Sequence, residues 1–258
     1  MKIKWYGTAS VSIETEDNKI LFDPFIPLPG SGIPVNKNDF QGFSHIFLTH
    51  GHMDHLTSIP KLVKNTGTHV WCTKTPAKTL SKRGVNCDRI RVLQPGNKIF
   101  VGDMEIQVFQ GKHIHFDKQI VKKTLLSSRM LEYAYNIPWV VYQNQTCKEN
   151  GETVSYLIKA EGKTVFILGS LGLDDNTIYP TGVDLLILPF QGSSDLITPS
   201  MEVIKRIQPE RIMLDHFDNT FPPISNQISL IELKKWMTID HPGIKVVKPK
   251  YKKTVHLL

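Results

Sequence analysis

Apolar residues along the chain fall mostly into short unbroken runs or strict alternation, the two signatures of β-strands. Lys4 to Ile13 and Lys19-Ile20-Leu21-Phe22 are rich in β-branched and aromatic residues. With a turn signal at Glu16-Asp17-Asn18 between them, they read as two or three strands within 1–23. The run His45-Ile46-Phe47-Leu48 reads as a buried strand over 45–49. Further strands are expected over 68–73, 89–93, 103–109, 139–146, 153–159, 163–168, 183–189, 211–214, 244–248 and 253–257. Helical spacing takes over at 56–64, 75–83, 118–135, 200–207 and 225–238. Gly84 closes the second of these helices, and Thr198-Pro199 opens the fourth. Strands and helices that alternate in this way predict an α/β fold.

Residues able to bind metal gather where the strands end. Directly after strand 45–49 comes His50-Gly51-His52-Met53-Asp54-His55, an H-x-H-x-D-H pattern. An extended backbone sends side chains i and i+2 to the same side, so His50 and His52 face one ion together. Asp54 and His55 follow where the chain turns toward a helix, which aims them at a second position. Neutral imidazole is the commonest metal ligand among side chains, and zinc, iron and manganese accept such N/O sets. Asp23 also closes a strand, at Asp23-Pro24, where a carboxylate supports a site or simply starts a turn.

Composition narrows the remaining options. The 258 residues carry 31 basic and 24 acidic side chains, a net charge of +7 that suits an anionic substrate or a nucleic acid. Lys245, Lys248, Lys250, Lys252 and Lys253 crowd the C-terminal region, where lysines protect an edge strand. No apolar run approaches the ~18 residues of a membrane span, so no membrane partner is expected. The N-terminus lacks the apolar region of a signal peptide, which makes the cytoplasm the expected location. Cys72, Cys87 and Cys147 are odd in number and form no C-x-x-C pair, which argues against a disulfide framework. The mixed face of 118–135 suits a helix docked on a sheet, with a lid or a homo-oligomer contact as alternatives.

H-x-H-x-D-H after an apolar strand resembles the signature of the metallo-β-lactamase-fold hydrolases, and the likeness extends over most of the chain. It is weakest over 118–150. It implies a four-layer αββα sandwich of two mixed β-sheets flanked by helices, with residues 1–258 as a single domain. A weak internal symmetry, with histidines delivered at strand ends in both halves, fits that sandwich. The resemblance implies one metal site of His50, His52 and His113 and another of Asp54, His55 and His216. His113 follows strand 103–109 as the family's third histidine does, with His115 as the alternative. Asp54 would also hold and orient the attacking water, and Asp23 would orient the metal loop. The implied cofactor is Zn2+, as one or two ions, with Mn2+ or Fe2+ as alternatives.

One departure bears on the second ion. Gly169-Ser170 stands where the family has Gly-Asp, whose carboxylate bridges the metals. A hydroxyl does not replace that charge, so the second position is expected to be weaker or empty, or completed by water, substrate, Asp174 or Asp175. The branch that looks most similar is the L-ascorbate-6-phosphate lactonase-like one. It implies attack by metal-activated water on an ester, lactone or phosphodiester of a small anionic substrate. Against that transfer, Gly7-Thr8 replaces the branch's usual Gly-His. Two other classes stay open: a nuclease acting on RNA or DNA, supported by net charge alone, and a non-catalytic metal-binding or sensing protein that lacks the bridging Asp.

Overall fold

The computed structural model describes residues 1–114 and 117–257. Alternation lets single strands serve two cores at once. Within Lys19–Phe22, Ile20 and Phe22 point into the space between two sheets, and Leu21 points outward beneath helices. In the next strand Phe47 faces inward while Ile46 and Leu48 face outward. The outcome is four layers: helices, sheet, sheet, helices.

The first sheet is built from Lys2–Gly7 (β1), Ser10–Glu14 (β2), Lys19–Phe22 (β3), His45–Phe47 (β4), His69–Cys72 (β5) and Ile90–Val92 (β6). The second takes Lys98–Val101 (β7), Met104–Gln110 (β8), Val154–Ala160 (β9), Lys163–Ile167 (β10), Leu185–Pro189 (β11), Arg211–Asp215 (β12) and Lys245–Val247 (β13). Thr254–His256 (β14) returns to pair with β1. The orders are β14-β1-β2-β3-β4-β5-β6 and β13-β12-β11-β10-β9-β8-β7. Each sheet is antiparallel through its hairpins and parallel thereafter, over β3 to β6 and over β10 to β13. The carboxyl ends of the parallel strands therefore share one edge in each sheet, where α/β proteins bind ligands. β11 is apolar and buried along its whole length, as a parallel strand covered on both faces must be.

Met53–Leu56 (α1), Ile59–Val63 (α2) and Lys74–Lys82 (α3) cover the outer face of the first sheet through Leu56, Ile59, Val63, Ala77 and Leu80. Lys118–Leu125 (α4), Arg129–Glu132 (α5) and Ile137–Thr146 (α6) lie between β8 and β9. Ile197–Ile207 (α7) and Ile231–Asp240 (α8) pack on the second sheet through Val203, Ile204, Ile207, Leu233 and Met237. No helix among the described residues is long and apolar enough to cross a membrane.

Four expectations need correcting. Residues 139–146 form helix α6, not a strand. Pro138 sits in its first turn, and Val140, Gln143 and Cys147 make one buried face at helical spacing. Packing there overrides the β-propensity of Trp139, Val140 and Val141. The helix expected over 56–64 is two short ones, interrupted at Thr57-Ser58, where Ser58 Oγ accepts from Ile26 N at 2.8 Å. The segment 118–135 is not one helix docked on a sheet. α4 has no buried residue, and Val121 and Leu125 face outward beside Lys118 and Lys122. The last helix begins at Ile231, because Phe221 to Ser225 forms a turn in which Ser225 Oγ accepts from Phe221 N at 2.8 Å.

Phe47 is fully buried among Phe22, Trp71 and Tyr156, with ring centroids 5.4–5.7 Å apart. Phe47→Ala should cost about 3–5 kcal/mol in urea unfolding. Val92→Ala, at a position 61% exposed, should change stability by less than about 0.5 kcal/mol.

Candidate metal centre

The ends of β3 and β4 set the geometry. Asp23 follows β3 and is fully buried. A buried carboxylate is costly unless every oxygen finds a partner. Its Oδ1 accepts from Thr49 N at 2.9 Å, and its Oδ2 accepts from Thr49 Oγ1 at 2.7 Å. His55 Nδ1 lies 3.1 Å from the same Oδ2. Thr49 Oγ1 in turn accepts from His50 Nδ1 at 3.0 Å. Between His50 and His52, a Cβ on Gly51 would sit 2.1 Å from the carbonyl oxygen of Lys148, so only glycine fits there.

Two triads result. Ligand atoms of His50, His52 and His113 lie within 4.8 Å of one another, as do those of Asp54, His55 and His216. In the first triad His50 Nε2 is 3.1 Å from His52 Nδ1. Nitrogens about 2.0–2.1 Å from a tetrahedral zinc lie about 3.3 Å apart, so this pair already has the needed spacing. His113 donates from Nδ1 to its neighbour's carbonyl, Ile114 O, at 2.6 Å, which leaves Nε2 for the centre. In the second triad Asp54 Oδ2 is 3.0 Å from His216 Nε2 and 3.4 Å from His55 Nε2. His216 Nδ1 meets Gln191 Oε1 at 3.0 Å.

The triads differ in charge. Burial, helped by the neighbouring imidazoles, holds His50 well below its ordinary range and lowers His52 to about 4. Burial also lowers His113. These three are neutral, the form that binds a metal. Burial works against charge at His55 too, but Asp23 and Asp54 outweigh it and lift His55 to about 10. Burial would raise Asp54, yet His55 and His216 hold it well below the usual carboxylate range. The second triad thus carries as a proton the positive charge that a cation would bring.

Of the residues expected at the site, His50, His52, His113, Asp54, His55 and His216 are brought together, and Asp23 lies directly behind them. His115 lies outside the described residues. Ser170 is buried, and its Oγ accepts from Ile114 N at 3.0 Å, beside His113. Asp174 and Asp175 do not take the bridging place. Asp174 is bonded to Asn176 N and Thr177 Oγ1, and Asp175 pairs with the exposed Lys112. Asp215 and Asp218, beside His216, are buried. Burial pushes Asp215 up to about 7, against the pull of His216 and His55. Asp218 accepts from Thr8 N, and Thr8 O accepts from His216 N at 2.8 Å, so the Gly7-Thr8 corner holds the last histidine. Thr49 and Gln191 went unassigned in the sequence. Both sit just past a strand's carboxyl end, a position that could have marked them.

An α/β sandwich with histidines gathered at the ends of its parallel strands defines the class. The beta-lactamase superfamily domain matches residues 2–215, and the chain belongs to that superfamily. A UPF0173 metal-dependent hydrolase of Rhizobium etli (strain CIAT 652) is 41% identical over 103 residues, 40% of this chain and 43% of that protein. The match thus spans under half the length of that relative. A UPF0173 metal-dependent hydrolase of Ligilactobacillus salivarius (strain UCC118) is 26% identical over 236 residues, 89% of this chain and 90% of that protein. Igni18, a metallo hydrolase from Ignicoccus hospitalis KIN4/I, shares the fold. Its TM-score is 0.63 at 17% identity, over 98% of this chain and 97% of that one.

The depressed histidines make the chelator-treated protein acid-sensitive. A folded His52 near 4, against about 6.5 unfolded, contributes stability that is present above pH 6.5 and lost as pH falls toward 4. That gap corresponds to about 3 kcal/mol. His55 acts in the opposite window, its contribution fading as pH rises from about 6.5 toward 10. Urea unfolding at stepped pH should therefore show stability falling from pH 6.5 to 4. His52→Ala should flatten that slope, and an unchanged slope would contradict the neutral assignment.

Proposed function

We propose that this protein is a metal-dependent hydrolase that cleaves an ester, lactone or phosphodiester of a small anionic molecule. His50, His52 and His113 would hold the first Zn2+, and Asp54, His55 and His216 a second, weaker cation. The observation that carries this reading is the direction of the rings. His50, His55, His113 and His216 each turn Nδ1 to a partner of their own: Thr49, Asp23, Ile114 O and Gln191. Each thereby leaves Nε2 for the centre of its own triad, and such outer partners are what orient metal-binding histidines. A set of three imidazoles suits zinc, while the carboxylate of the second triad also admits Mn2+ or Fe2+.

A bound ion supplies Lewis acidity and lowers the pKa of water toward neutrality. The chain's own residues do the rest. Asp54 sits at the second triad with its Oδ2 fixed by two histidines, placed to accept a proton from the attacking water and to hold it in line. His50, Asp54 and His55 are buried, which strengthens each charge interaction there. The net charge of +7 favours an anionic substrate. Ser170 is the reason to rank the second cation as weaker: its hydroxyl is bonded to Ile114 N and adds no charge between the triads. The core shared by the two sheets supports reading the chain as one domain.

Elemental mass spectrometry on protein purified without chelators tests the metal assignment. His52→Ala should remove most of the bound metal, and full retention would sink the site. Ser170→Asp should raise the stoichiometry toward two ions per chain, with activity on an ester, lactone and phosphodiester panel rising alongside. A metal-replete protein inactive across that panel would favour a sensing role.

A further inference from the structure

The turn between α6 and β9 brings a carboxylate to the first triad that no motif marks. Glu149 Oε1 accepts from Thr153 N at 3.1 Å and from Thr153 Oγ1 at 2.6 Å, and its Oε2 accepts from Gly151 N at 2.8 Å. Thr153 is fully buried and is a joint between the sheets. Its carbonyl oxygen accepts from Gly111 N at 2.8 Å and from Gln110 Nε2 at 3.3 Å, just before His113. The next residue, Val154, donates from N to Thr49 O at 2.9 Å, just before His50. His113 belongs to the second sheet and His50 and His52 to the first, so Thr153-Val154 fixes the distance across which the triad must close. Space is tight here. A Cβ on Gly169 would lie 2.2 Å from Val154 O, and one on Gly111 2.9 Å from the Thr153 side chain.

We infer that Glu149 is a positioning residue for the first metal: it locks the Thr153 joint that sets His113 against His50 and His52. This rests on reading the His50–His52–His113 triad as a metal site. A glutamate that merely closed a turn would hold Gly151 and Thr153 in place and leave metal affinity alone.

Zinc affinity, measured by competition against a chromophoric chelator on the full chain, separates these cases, with thermal melting of the chelator-treated protein as the control for folding. Glu149→Gln keeps only one of the two accepting oxygens, so it loses the bond from Gly151 N or those from Thr153 and loosens the joint. It should weaken the tightest zinc site about 10- to 100-fold, the range for residues that orient a metal's ligands, with the zinc-free protein still folded. Thr153→Val breaks the 2.6 Å bond, keeps the charge and should weaken the same site. It also serves if Glu149→Gln does not fold. Unchanged zinc affinity in either folded variant would overturn the positioning role while leaving the metal reading intact. Failure of the unaltered protein to bind zinc would instead overturn the metal reading and this inference with it.

Discussion

The buried carboxylate of Asp23 is the constraint on which the site depends. It has no access to water, so the chain around it must supply its partners. Thr49 gives its backbone N–H and its hydroxyl, and His55 gives a ring nitrogen. Satisfying one charge therefore fixes the start of the loop, through Thr49, and its far end, through His55. The five residues from His50 to Asp54 are carried between those two pins. Thr49 then passes the constraint on, because its hydroxyl also receives His50 Nδ1.

The second half of the centre is held in the same way from the other sheet. His216 takes a left-handed backbone, with φ 57, and Asp23 one with φ 42. Non-glycine residues adopt such a conformation where the surroundings over-determine it. For His216 those surroundings are Thr8 O on its N–H and Gln191 on its ring. Thr8, itself at φ 47, is clamped by both oxygens of Asp218. The two sheets meet through Val154 N on Thr49 O and Tyr156 Oη on Leu48 O. The site is thus a seam between two sheets of like design, each offering the carboxyl ends of its parallel strands.

The α/β class was legible in the sequence from apolar patterning, as the alternation along Met104–Gln110 shows, and the family resemblance supplied the four layers. The loop from His50 to His55 was legible because four polar, ligand-type residues in six have no use in a core. The family resemblance supplied His113 and His216, which are single histidines without local pattern. What escaped were partners whose role arises only in space. Thr49, Gln191 and Glu149 are ordinary polar residues in sequence and acquire meaning from residues up to about a hundred positions away. Helix α6 escaped for a related reason. Its Trp-Val-Val-Tyr run favours a strand locally, whereas burial of Val140 and the contacts of Gln143 and Cys147 with Arg83 favour the helix. The outward face of α4, with Val121 and Leu125 exposed, does not follow the rule that apolar spacing points inward.

The most direct test is anomalous diffraction at the zinc edge from crystals of protein purified without chelators. A peak is expected between His50 Nε2, His52 Nδ1 and His113 Nε2, at about 2.0–2.1 Å from each. Any second peak beside Asp54, His55 and His216 should be weaker. The account would be contradicted by a strong peak elsewhere in the chain. It would also be contradicted if zinc-soaked crystals gave no peak and kept the direct 3.1 Å contact between His50 and His52.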